Sequence, residues 1–147
     1  MILGIGVDTV DIERIRKMLG EKPQLRRLGE PSPSGSSLPA PEEPPFFRRV
    51  FSEAERAAAP QGRARAEYYA ARFAAKEAVF KAVAHLLPEK TFDLRLVETL
   101  HREDGSPYVV MDGALREVYA AAGVGRIHIS VTTEGQFATV FVIAESL

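Results

Sequence analysis

Cysteine is absent from the 147-residue sequence. That excludes disulfides, thiolate zinc sites, iron–sulfur clusters and a cysteine nucleophile, and it fits a reducing compartment, so a cytoplasmic protein is expected. Histidine is scarce too: three residues, His85, His101 and His128, are too dispersed to predict a histidine-rich zinc site. No sign of charge dominates. Lys plus Arg number 19 against 20 Asp plus Glu, a formal net charge of -1, which gives no global attraction to nucleic acid or anionic lipid. Apolar runs are short, none approaching the roughly 18 residues that a membrane helix needs. The opening segment Met1 to Asp8 lacks the basic start of a signal peptide. Neither a nucleic-acid nor a membrane partner is therefore expected. What is present is a hydrophobic share of 46%, enough to wrap one core, and the length suits a single domain over 1–147.

Ile2 to Val7 is a short apolar run with two glycines and predicts a buried strand that stops at Asp8. From Asp11 the spacing becomes helical, with Ile12, Ile15 and Leu19 on one face and Thr9 or Asp11 available as the N-cap. Residues 31–45 hold six of the ten prolines, together with Gly35 and four serines, and predict a surface loop inserted within the domain at about 29–45. Ser52-Glu53-Ala54-Glu55 has the form of a capping box and predicts a short helix. Ala66 to Leu87 is alanine-rich, free of glycine and proline, and predicts the longest helix, ended by Pro88. Phe92, Leu94 and Leu96 alternate as in a strand, followed by a second run at Pro107 to Met111 and a helix from about Ala114 to Ala122. Ile127 to Thr132 and Phe137 to Ala144 predict a closing hairpin through Glu134-Gly135-Gln136.

On the long helix, Tyr69, Phe73, Val79, Phe80, Val83 and Leu87 form one broad stripe, interrupted by Arg72 and Lys76. A cation inside such a stripe must meet an anion, a subunit boundary or solvent, or snorkel out along its own stem. Glu77 and Lys81 lie four residues apart at the stripe's edge, the spacing of a simple surface ion pair. Asp8 alone reads equally as an acid favourable to the following helix. Together with Glu77 it offers two hard carboxylates, and magnesium commonly takes one or two of these while leaving its other positions to water and substrate phosphates. Arg72, Lys76 and Lys81 would then face phosphate. His128, Ser130 and Thr132 share one face of a late strand, which is either a hydrogen-bonding row or a merely polar exposed face. The first helix and its continuation carry Arg14, Arg16, Lys17, Lys22, Arg26 and Arg27, with Met18 one turn from Arg14, a surface suited to an acidic helix, to phosphates or to solvent alone. Gly4 and Gly6 have no third glycine at dinucleotide spacing and no Walker lysine follows, which disfavours those nucleotide folds.

Four blocks stand out in order: Gly4-Ile5-Gly6-Val7-Asp8-Thr9-Val10-Asp11-Ile12-Glu13-Arg14-Ile15, Phe51-Ser52-Glu53-Ala54-Glu55, Arg72-Phe73-Ala74-Ala75-Lys76-Glu77-Ala78-Val79-Phe80-Lys81-Ala82 and His128-Ile129-Ser130-Val131-Thr132. Together they closely resemble the holo-acyl-carrier-protein synthases, over most of the chain except the Pro/Ser-rich stretch. The resemblance implies an α+β fold with an antiparallel sheet packed on a long central helix, and a homotrimer whose sites are shared between neighbouring subunits. It implies transfer of the 4'-phosphopantetheine group of coenzyme A to a serine of apo acyl carrier protein in fatty acid biosynthesis, leaving adenosine 3',5'-bisphosphate.

By the same resemblance Asp8 and Glu77 correspond to magnesium-binding acids and Lys81 to a lysine at the reacting phosphate, the three forming the catalytic set. Arg72, Lys76, Lys81, His128, Ser130 and Thr132 are implied at coenzyme A, the late strand at a subunit boundary. Arg14, Lys17, Met18 and Lys22 are implied at the carrier's acidic helix. Phosphoryl transfer needs positioning and charge neutralisation more than covalent help, which suits these residue types. The serine's proton has three possible acceptors: a water on the cation, Glu77 or Lys81. Two features depart from the family: Thr133 stands where many relatives have a second histidine, and the stretch from about Gly29 to Pro45 is long. Two rival functions also remain in play, a non-catalytic binding module using the basic first helix and a transferase acting on peptidyl or polyketide carriers.

Overall fold

The structure is a computed structural model, described for residues 1–20 and 43–147. Lys22, Arg26, Arg27 and most of the Pro/Ser-rich stretch lie outside the described residues. The chain forms an α+β fold. Strand β1 (Ile2–Asp11) leads directly into helix α1 (Ile12–Met18), and the Asp11 carboxylate caps that helix by accepting from the Glu13 amide at 2.9 Å. Two short helices follow, α2 (Pro45–Val50) and α3 (Glu53–Ala57), then the long helix α4 (Ala64–Val83) and a 3-10 turn at Ala84–Leu86. A small ladder of β2 (Thr99–His101) and β3 (Pro107–Val109) precedes α5 (Arg116–Ala121) and the hairpin β4 (Arg126–Glu134) and β5 (Phe137–Glu145).

The main sheet is antiparallel in the order β1-β5-β4, so the first strand pairs with the last. The expected end of β1 at Asp8 is corrected: Asp8 pairs with Val140 and the ladder continues to Asp11 opposite Phe137. A charged side chain does not interrupt backbone pairing, and Asp8 simply occupies an inward position near the sheet's edge. The expected strand at Phe92 to Leu96 is also corrected. The Asp93 carboxylate accepts from the Arg95 amide at 3.0 Å and turns the chain into a 3-10 turn, Leu94–Leu96.

Helix α4 lies against the inner sheet face along a seam of small residues. A Cβ on Gly4 would sit 1.9 Å from the Ala82 carbonyl oxygen, and one on Gly6 would sit 1.8 Å from that of Ala78. Glycine on the strand and alanine on the helix thus permit an approach no larger residue allows. Ala74, Ala75, Ala78, Ala82, Val140, Val142 and Ala144 are fully buried there. The opposite sheet face keeps large apolar groups in the open: Ile5 is 57% exposed, Val7 50% and Phe141 43%. Among the described residues no helix is long and apolar enough to cross a membrane.

Candidate active site

On β1, Gly4, Gly6 and Asp8 alternate with outward residues and therefore share the helix-facing side of the sheet. Because the glycines let α4 approach, Asp8 meets that helix. Lys81 donates from Nζ to the Val7 carbonyl at 2.9 Å and to Asp8 Oδ1 at 3.1 Å. The edge pairing of Glu77 with Lys81 suggested by their spacing is replaced by this contact with Asp8.

A cleft of about 450 Å³ opens at this point. Its lining includes both Asp8 and Glu77, which the sequence separates by most of the described first half, together with Arg14, Met18, Phe46 and Phe73. Among the described residues the Glu77 carboxylate makes no hydrogen bond, whereas Asp8 is engaged by Lys81. The two acids are the donors a hard divalent cation takes. Among the described residues there is no group of three or more His, Cys, Asp or Glu that could hold a metal, so the cleft offers a cation no more than a pair of carboxylates. That donor set fits magnesium used with a phosphate substrate.

Two cations expected at the substrate, Lys76 and Arg72, are buried in the single chain and do not line the cleft. Lys76 is wholly buried: its ammonium donates to Glu55 Oε1 at 2.7 Å, to the Arg95 carbonyl at 3.2 Å and to the Val97 carbonyl. Burial pulls its pKa below the ordinary lysine value, against the opposing charge of Glu55. Arg72 is 2% exposed, stacked 4.4 Å over the Tyr68 ring and bonded through Nη2 to His101 Nδ1 at 2.7 Å. Its buried Nε has no partner among the described residues. Of the two charges inside the apolar stripe, Lys76 is thus paired with the Glu55 carboxylate inside the fold, while Arg72 has the Tyr68 ring and one bond to His101 but no carboxylate partner.

His128, Ser130 and Thr132 pair with Ile143, Phe141 and Thr139, and through them share the outer face with Ile5, Val7 and Thr9. All three are exposed, on the face opposite Asp8 and two strands away from it, roughly 10 Å across the ladder. One chain does not bring them to the cleft. His128 Nε2 lies 2.8 Å from Glu145 Oε2. On α1, Arg14 is exposed and lines the cleft with half-buried Met18, Lys17 is exposed beside them, and Arg16 turns back to Glu13.

Sequence reasoning missed Glu55 as a buried partner, although the capping box marked the residue. It also missed Glu43, whose carboxylate receives Tyr69 Oη at 2.6 Å and Arg56 at 3.2 Å; no local signal announces those contacts. Phe46 and Phe73 as cleft walls were visible only as apolar residues.

Comparison with known proteins places the chain in a family. The profile of the 4'-phosphopantetheinyl transferase superfamily matches residues 4–139. A holo-[acyl-carrier-protein] synthase of Anaeromyxobacter dehalogenans strain 2CP-1 is 37% identical over 145 residues, covering 99% of this chain and 97% of the relative. One of Vibrio parahaemolyticus is 35% identical over 146 residues, covering 99% and 98%. The solved holo-[acyl-carrier-protein] synthase of Neisseria meningitidis superposes with a TM-score of 0.71 at 28% identity, over 99% of this chain and 100% of that one. A Bacillus anthracis structure in complex with CoA (3',5'-ADP) gives 0.67 at 28% identity, over 100% and 99%. The chain belongs to the 4'-phosphopantetheinyl transferase superfamily. Within it the chain is an enzyme of the holo-acyl-carrier-protein synthase kind, as the four sequence blocks imply.

Proposed function

We propose that the protein moves the 4'-phosphopantetheine group of coenzyme A onto a serine of apo acyl carrier protein in a magnesium-dependent step of fatty acid biosynthesis. The observation that carries the reading is the convergence of Asp8 and Glu77 on one cleft, beside the Lys81 ammonium. Relatives named for acyl carrier protein and a similar structure holding CoA support the two substrates. Asp8 and Glu77 would hold the magnesium ion, which supplies charge neutralisation for a pyrophosphate. Lys81, half-exposed at the cleft, presents its ammonium to the phosphate whose charge grows during transfer.

In the reaction the serine oxygen forms a bond to the phosphorus that carries pantetheine. The bond from that phosphorus to the bridging oxygen breaks, and adenosine 3',5'-bisphosphate leaves with the electron pair. The serine proton leaves to a base at the same cleft, for which a water on the cation, Glu77 and Lys81 are the three candidates. Arg14, Lys17 and Met18 form the rim on which an acidic carrier helix would sit; Lys22 belongs to the same proposal from the sequence alone.

The assembly is part of the reading. Ile5, Val7 and Phe141 leave the outer sheet face apolar, and His128, Ser130 and Thr132 flank it. A homotrimer packed through that face would cover it and bring the His128 row to a neighbour's coenzyme A. The single domain 1–147 with its inserted Pro/Ser-rich stretch, acting in the cytoplasm, completes the proposal. Its test is the mass of apo carrier proteins incubated with the enzyme, coenzyme A and magnesium. The gain of one phosphopantetheine group by acyl carrier protein, abolished by chelator, is expected. No gain, or gain by peptidyl carriers only, contradicts it.

A further inference from the structure

Among the described residues, Glu55 and Lys76 form an ion pair with both side chains fully enclosed, and it lies one residue before Glu77. Lys76 has three N–H donors, and all three find acceptors: Glu55 Oε1 at 2.7 Å, the Arg95 carbonyl at 3.2 Å and the Val97 carbonyl. Glu55 is equally occupied. Its Oε1 also accepts from the Ser52 amide at 3.0 Å, and its Oε2 accepts from the Thr99 amide at 3.2 Å. The pair thereby joins α3, α4, the 3-10 turn and the start of β2.

Stability alone does not account for such a pair. Two enclosed charges are costly to desolvate, and apolar residues of similar volume often hold a core as well or better. Directional bonds do something apolar contacts do not: they fix rotation. Consecutive helical residues point about 100° apart, so clamping Lys76 against fixed acceptors sets where Glu77 points. Side chains reach about 5 to 6 Å from the helix axis, and a 20° rotation of α4 would displace the Glu77 carboxylate by about 2 Å. Magnesium demands near-ideal octahedral geometry at about 2 Å from its ligands, so a displacement of that size removes a ligand.

We propose that Glu55 and Lys76 are positioning residues for Glu77, holding α4 at the rotation that aims Glu77 into the cleft with Asp8. The inference rests on the reading of Asp8 and Glu77 as magnesium ligands, and its test separates the two. The probe is Mn2+ in the presence of coenzyme A, its binding read from the paramagnetic signal of the free ion, alongside thermal unfolding and steady-state transfer. The double variant Glu55→Met/Lys76→Met is expected to fold with a lowered unfolding midpoint, because the Ser52 and Thr99 amides and the Arg95 and Val97 carbonyls lose their partners. The Mn2+ dissociation constant should rise about tenfold or more and kcat should fall about 100-fold, with little change in the KM for coenzyme A. A folded double variant with parental Mn2+ affinity and kcat makes the pair merely structural and overturns the inference. If the double variant does not fold, Glu55→Gln decides. It keeps the cap to Ser52 but cannot accept from both Ser52 and Thr99 through carboxylate oxygens, so weaker Mn2+ binding supports the inference and unchanged binding overturns it. Failure of the parent protein to bind Mn2+ would instead contradict the magnesium reading itself.

Discussion

Lys81 Nζ lies 3.1 Å from Asp8 Oδ1, joining the first strand to the last turn of the long helix through an acid that lines the cleft. The ammonium is half-exposed, so the contact contributes little to folding, by about 0 to 1 kcal/mol as for other surface pairs. Its weight falls on catalysis. Lys81→Met should lower kcat about 100-fold, the scale of losing one preorganised charge at a reacting phosphate, while the unfolding midpoint moves by only a few degrees. Stopped transfer assays and a thermal melt on one preparation check both halves.

Gly6 sets the distance between that strand and helix. A methyl group there meets the Ala78 carbonyl at 1.8 Å, a contact that backbone atoms must relieve by moving apart. Gly6→Ala is expected to destabilise the fold by about 1 to 3 kcal/mol, measured by denaturant unfolding, and to reduce transfer by more than the loss of folded protein explains. A parental unfolding curve would show that the strand–helix seam tolerates more than its geometry allows.

Glu43 links acid stability to the segment entering α2. Burial alone would raise its carboxyl pKa, but hydrogen bonds from Tyr69 and Arg56 and the charges of Arg56 and Arg65 hold it below the ordinary 4.5. The unfolded chain therefore binds this proton first as pH falls. Stability from Glu43 is present above about pH 4.5 and is lost as pH drops through the lower folded value. Glu43→Gln should flatten that part of the pH–stability curve, read by thermal melts from pH 6 down; an unchanged slope would assign the acid limb to other carboxylates.

Arg14 tests the docking face. Arg14→Glu is expected to raise the KM for apo acyl carrier protein about tenfold and leave that for coenzyme A near parental, because the residue stands on the α1 rim rather than beside Lys81. Equal damage to both constants would show that α1 does not form a separate carrier surface.

The parts legible in the sequence were those governed by neighbours along the chain. Of the two N-cap candidates for α1, Thr9 and Asp11, it is Asp11 that caps it, Ser52 and Glu55 complete their capping box, and the alanine-rich stretch expected over Ala66 to Leu87 is helical from Ala64 to Val83 and ends in a 3-10 turn. The Leu94 alternation misled because one side chain, Asp93, turns the backbone before any strand partner is met. The destinations of Arg72 and Lys76 depended on His101 and Glu55, contacts set by tertiary packing rather than by spacing. Asp8 and Glu77 were legible as a pair of hard carboxylates from a strand's end and a core-facing helix, and the family resemblance gave them the same role; their shared cleft follows from the glycine–alanine seam, whose closeness appears in space and not in periodicity.

The claim beneath all of this is that Asp8 and Glu77 share one cation. Crystals grown with coenzyme A and Mn2+, with data collected at the manganese edge, test it directly through the anomalous signal. The account predicts a single strong peak in the cleft, about 2 Å from an oxygen of each carboxylate, and its loss in Glu77→Gln. A peak bound by neither acid, or one that persists unchanged in that variant, would contradict it.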